Sequence, residues 1–160
     1  MAGGLAKQSA DLALTRYTGV SGSAPLLAAD SWGGLDLRVV QGEFGQRATT
    51  TDLATVAERE NLAQALMLRL LTEQGALAPL GHPQYGCRLV TLIGRLNTTA
   101  TRNLARLYVI EALRAEPRVR QLTQLDVLPA PGAPDTIRIE LTVEPLHDND
   151  PLALSLDIAL

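Results

Sequence analysis

The chain has 160 residues, 46% of them hydrophobic but only 3% aromatic, with a formal net charge of −3. That length suits a single core, here built from Leu, Val, Ile and Ala, and the charge gives no electrostatic reason to expect nucleic acid. The single cysteine, Cys87, excludes an intramolecular disulfide and fits a reducing compartment.

Residues 1–34 are punctuated by Gly3, Gly4, Gly19, Gly22, Pro25, Gly33 and Gly34. They read as an extended arm that orders against a partner, with Trp32 as a candidate anchor. Lys7 and Asp11 come early and no unbroken apolar stretch follows Met1, which argues against a signal peptide. No apolar run approaches the roughly 20 residues that span a bilayer, so no direct membrane insertion is expected. The expected setting is the cytosol, alone or within a particle assembled there.

Residues 35–160 read as one domain. Leu35 to Val40 alternates like a strand, Gln41 to Gly45 is a turn, and Asp52 to Val56 is a second short strand, which together predict a hairpin. A helix is predicted from near Glu58, with Leu62, Leu66 and Leu70 on one face, Gln64 and Arg69 toward the other, and Gly75 as its stop. Pro79, Gly81, Pro83 and Gly86 give the next stretch the character of a shaped loop. Arg88 to Gly94 reads as a short helix, and Asn97 or Thr98 as the N-cap of a second long one. In that helix Leu104, Leu107, Tyr108, Ile110 and Leu113 join Ala100, Ala105, Val109 and Ala112, which predicts burial on more than one side. Pro117 cannot continue it.

Arg118 to Leu128 is then a strand candidate, and Pro129 to Asp135 a turn. Ile137, Ile139, Leu141 and Val143 alternate with Arg138, Glu140, Thr142 and Glu144, the pattern of a half-buried antiparallel strand. Leu152, Leu154, Leu156, Ile158 and Leu160 repeat the device, with Ser155 and Asp157 opposite. The expected class is α+β, two main helices on one face of a small antiparallel sheet, with the arm in front.

Residues capable of chemistry are scattered. His147-Asp148-Asn149-Asp150 lies between two strands and lacks calcium-loop spacing, so a polar hairpin loop accounts for it. His82 has no second histidine or cysteine pair beside it for zinc, which leaves it as a residue that fixes its loop. Cys87 lacks a catalytic partner set and reads as a small core residue. Glu60, Glu73, Glu111 and Glu116 offer carboxylates, but nothing pairs two of them across a cleft as a glycosidase needs. No metal or cofactor is expected.

Glu116-Pro117-Arg118 has another character, because the proline fixes the backbone between opposite charges and Arg can pair bidentately with a carboxylate. On these residues alone, an ordinary helix stop with a surface ion pair is the simpler reading.

Three segments in order, Leu70-Leu71-Thr72-Glu73-Gln74-Gly75, Pro83-Gln84-Tyr85-Gly86 and Glu116-Pro117-Arg118, resemble the baseplate wedge family typified by the T-even phage gene 25 product. That family is shared by contractile phage tails, type VI secretion baseplates and extracellular injection systems. The similarity covers residues 52–160. It implies a non-enzymatic baseplate component, six copies per particle, that joins the wedge core proteins to the first sheath ring and templates the sheath. Hub, spike or inner-tube proteins are further neighbours. Glu116, Pro117 and Arg118 would hold the wedge contact, and His82, Tyr85 and Gly86 belong to the matching connector. Members of the family have also been described as lysozyme-like, so peptidoglycan hydrolysis is the alternative. The strand-rich end adds an expectation of its own: Ile137, Ile139, Leu141, Leu152, Leu154, Leu156 and Ile158 would form the sheet to which a sheath strand adds.

Overall fold

The structure is a computed structural model that describes residues 58–160 throughout and, before them, the segments 11–12, 26–27, 39–43, 49–53 and 55–56. Most of the predicted arm, Trp32 included, lies outside the described residues.

The early segments form short strands: β1 (Asp11–Leu12), β2 (Leu26–Leu27), β3 (Val39–Glu43), β4 (Thr49–Leu53) and β5 (Thr55–Val56). β3 and β4 pair antiparallel, so the predicted hairpin exists, although β3 runs on through Gln41 to Glu43, where a turn was expected. β1 pairs with β5.

Helix α1 runs Glu58–Leu71, with Glu58 and Glu60 in its first turn, where acidic side chains complement the helix dipole. Leu62, Leu66 and Leu70 form its core face at 5%, 0% and 0% exposure. The expectation that Gln64 and Arg69 point away from that core fails, because both are buried. Each finds an acceptor across the fold: Gln64 Nε2 donates to the Leu12 carbonyl at 2.8 Å, and Arg69 to a carboxylate described below. A polar group can be buried at modest cost when it is so satisfied.

Two single-turn 3₁₀ helices, Ala78–Leu80 and Leu89–Leu92, shape the connector. Helix α2 (Thr99–Arg114) is capped by Thr98, whose Oγ1 accepts from the Thr101 amide at 3.2 Å. Asn97, the other cap candidate, instead donates to the carbonyls of Pro134 and Thr136 and ties the helix start to the sheet. Burial of α2 is one-sided, contrary to expectation. Ala105, Val109, Ala112 and Leu113 face the core, whereas Leu107 is 48% exposed.

The main sheet takes β6 (Val119–Ala130), β7 (Ala133–Pro145) and β8 (Leu152–Ala159) as an antiparallel meander. The β6–β7 turn is tighter than expected, with only Pro131 and Gly132 between the strands. Gly132 has φ 76°, a left-handed value that suits glycine. The strand order is β2-β8-β7-β6, with β2 added parallel to β8 at Ser155 and Leu156.

Register places Ile139 beside Leu156, Leu141 beside Leu154 and Val143 beside Leu152. One sheet face therefore carries only apolar side chains, and α1 and α2 cover it to make the core. Each fully buried Leu or Ile here contributes roughly 1.5–3 kcal/mol. On the other face Arg138 pairs bidentately with Asp157 across the strands, at 2.8 and 2.7 Å.

Candidate functional site

Helix α2 ends at Arg114 because Pro117 forbids another turn. The chain closes on itself there: the Glu116 amide donates to the Leu113 carbonyl, and the Val119 amide to the Glu116 carbonyl, both at 3.1 Å. This turn drives the Glu116 side chain inward, to 6% exposure.

Both Glu116 carboxylate oxygens are engaged. Oε2 accepts from Arg69 Nη2 at 3.1 Å. Oε1 accepts from Arg118 Nε at 2.7 Å and weakly from the Arg118 amide at 3.4 Å. Arg118 Nη1 then donates to Asn61 Oδ1 at 2.8 Å, which carries the cluster back to the first turn of α1. Burial alone would push the Glu116 carboxyl up. The hydrogen bonds and charges of Arg118 and Arg69 outweigh it and hold the group below the usual glutamate range.

The expectation of a surface ion pair is therefore corrected for Glu116, which is buried. Glu116 is spent inside the molecule, between two arginines. Pro117 is exposed and the Arg118 side chain is 39% exposed, so proline and arginine face out.

Arg69 links this corner to the connector. Its guanidinium lies 4.5 Å from the centre of the Tyr85 ring. Partial burial, with the nearby Glu116 charge, raises the Tyr85 hydroxyl pKa against the opposing influence of Arg69 and Arg118.

The connector is pinned to the end of α1 by backbone bonds. The Gln74 amide donates to the Cys87 carbonyl at 3.1 Å, Gly75 to Tyr85 at 3.2 Å, and Cys87 to Thr72 at 2.8 Å. Gly86 sits in the crossing with φ 106°, and a Cβ there would lie 2.7 Å from the carbonyl oxygens of Thr72 and Glu73. Only glycine fits. His82 is exposed; its carbonyl accepts from the Tyr85 amide at 3.2 Å, so its backbone closes the loop.

The remaining candidates have other occupations. Cys87 is buried, its Sγ contacts the Tyr108 carbonyl at 3.4 Å, and burial pushes its thiol up to about 11, so it stays protonated at neutral pH. Asp148 receives Arg59 Nη1 at 3.0 Å. Its carboxyl is held below the usual range, first by the Asp150 amide and then by Arg59. Glu111 pairs with Arg88. Among the described residues, no group of three or more His, Cys, Asp or Glu could hold a metal ion. No described helix is long and apolar enough to cross a membrane.

The residues expected to receive a sheath strand are placed in the core. Ile137, Ile139, Leu141, Leu152, Leu154, Leu156 and Ile158 are all at most 2% exposed. β7 has strands on both sides, so its residues offer no backbone edge. Of these two strands β8 alone has a side away from the meander, and its Ser155–Leu156 step already pairs with Leu26–Leu27, while β6 lies at the opposite side of the sheet. These side chains hold the sheet on the helices, and among these residues an incoming strand could meet only the backbone of β8.

The residues that sequence reasoning missed are Arg69 and Asn61. The signal was there in part: Arg69 follows Leu62 by seven residues and Leu66 by three, which is the apolar face of the helix.

No protein-family model and no curated protein matches the chain. Among solved structures, a proposed tail lysozyme of Geobacter sulfurreducens shares the fold, with a TM-score of 0.54 and 24% identity over 63% of this chain and 89% of that one.

Proposed function

We propose that the chain is a non-enzymatic structural component of a contractile, phage-tail-like particle. It acts in the baseplate as a wedge protein that joins the wedge core to the first sheath ring. One observation carries this reading. The three segments on which the resemblance rests, 70–75, 83–86 and the more distant 116–118, meet in one unit around Gly86, Tyr85 and the Arg69–Glu116–Arg118 cluster. A fold shared with a protein described by its tail origin is consistent with it.

In this reading the cluster gives the corner one rigid shape, so that Pro117 and Arg118 meet the wedge without a further ordering cost. Sheath strands would add along the outer edge of β8 by backbone hydrogen bonds. Deleting residues 152–160 cannot test that step, because it would remove four core side chains, Leu152, Leu154, Leu156 and Ile158.

Two assays on the full chain separate this reading from peptidoglycan hydrolysis. Incubated with purified cell walls, the chain should release no more soluble fragments than buffer does. Tagged and produced alongside its neighbouring genes, it should co-sediment with particles carrying sheath and tube. Cell-wall release above the blank, or a chain that never sediments with such particles, would contradict the proposal.

A further inference from the structure

The corner is one anion short. Two guanidiniums, Arg69 and Arg118, share a single carboxylate, Glu116, and both oxygens of that carboxylate are taken. Asn61 supplies a neutral acceptor to Arg118 Nη1. Arg118 Nη2 has no hydrogen-bond acceptor among the described residues. Arg69, a residue 7% exposed, keeps a fully buried Nε with no hydrogen-bond partner. Unmet donors on a buried cation are costly, and natural structures rarely keep them without a reason.

The cluster is also accessible from one side. The Arg118 side chain is 39% exposed, Pro117 is exposed beside it, and Tyr85, stacked on Arg69, is half-buried. An anion arriving at Arg118 would meet a fork already oriented by Glu116 and Asn61, so little side-chain freedom would be lost on binding. A planar carboxylate suits that fork better than a compact, strongly hydrated ion would.

We propose that the Arg69–Glu116–Arg118 cluster is the receptor for a carboxylate on an acidic segment of a partner protein. That carboxylate docks on Arg118 beside Pro117 and Tyr85 and balances the second positive charge. The partner is thus expected to present Asp or Glu at this corner, not a basic or purely apolar surface. This assignment rests on the proposed baseplate role for where the partner comes from, but its chemistry can be tested without the particle.

The test follows the arginine Nε–Hε signals of the full chain by NMR during titration with a capped tetraglutamate peptide. Tetraglutamine, a short single-stranded DNA and inorganic phosphate are run in parallel. Tetraglutamate should shift the Arg118 and Arg69 signals in a saturable way and leave that of Arg138 in place, because Arg138 is held bidentately by Asp157 on the other sheet face. R118Q should weaken the tetraglutamate response at least tenfold, and R118K several-fold, since lysine keeps the charge but loses the fork. The inference is overturned if tetraglutamate shifts neither signal, or shifts Arg138 to the same extent. It is equally overturned if DNA or phosphate shifts Arg118 and Arg69 more strongly. Such a failure would leave co-sedimentation with particles untouched, so it is distinguishable from failure of the baseplate reading.

Discussion

Replacing Glu116 with glutamine should destabilise the chain by about 3 kcal/mol, at the lower end of what breaking a buried ion pair costs. Most of that loss falls on Arg69, whose side chain is 9% exposed and would keep a buried charge without a counter-ion. The Arg118 half of the cluster is 39% exposed, so solvent screens it and its share is small. Urea unfolding at neutral pH measures the change. E116Q should keep the shape of the side chain, so a drop well under 1 kcal/mol would mean that the cluster does not brace the fold.

The same residue gives a signed pH dependence. Its folded-state pKa lies below the ordinary glutamate value. The stabilisation it contributes is therefore complete above that ordinary value and is lost as pH falls through the lower folded one. In E116Q the acid limb of the stability profile should be shallower than in the parent chain. A limb of unchanged slope would assign the acid sensitivity to other carboxylates, such as Asp148, which is also held low.

Gly86→Ala should be about as damaging, with a loss of about 3 kcal/mol or more, from strain at a left-handed φ joined to a steric clash. The added methyl would press on two backbone carbonyl oxygens at 2.7 Å, and neither can rotate aside as a flexible side chain would. Relief requires pulling the connector off the end of α1, which opens the bonds from Gln74 to Cys87 and from Cys87 to Thr72. Tyr85 moves with the connector and uncovers Arg69, so G86A should also raise hydrogen exchange at Cys87. As a control, Gly81→Ala has open space around the new methyl and bears only the φ cost. Equal melting temperatures for G86A and G81A would refute the steric account.

The fold was legible where the period of the sequence was strong. Ile137 to Val143 and Leu152 to Ile158 alternate cleanly, and both proved to be core strands. The boundaries of α2 were legible because Thr98 and Pro117 act locally, whereas α1 ends at Leu71, before the stop expected at Gly75. Misreadings arose where a tertiary partner decides the outcome. Gln64 and Arg69 look like surface residues until the Leu12 carbonyl and the Glu116 carboxylate are brought to them. Leu107 looks like a core residue, yet it faces outward.

The site shows the same division. Glu116, Pro117, Arg118, Tyr85 and Gly86 could be picked out as motif positions, but the cluster that joins them could not, because its bonds link residues up to 57 positions apart. Nor could the direction of Glu116 be read, since that depends on the closed turn around Pro117. The strand-addition residues proved to be core side chains, because alternation identifies a buried face without saying which strand owns a free edge. β6 lies at one side of the sheet, and at the other β8 is met at Ser155 and Leu156 by Leu26 and Leu27, which no local pattern could pair with it.

In the proposed reading the exposed part of the corner serves a partner. Arg118→Ala separates that from a role in folding, because Glu116 would still be paired with Arg69, and the losses are the screened contact to Glu116 and one hydrogen bond to Asn61. The decisive measurement compares the amount of R118A that co-sediments with baseplate-bearing particles against its melting temperature, both relative to the parent chain. The expected result is at least a tenfold loss of association with a melting shift of only a few degrees. Undiminished association, or a loss fully matched by a large fall in melting temperature, would contradict it.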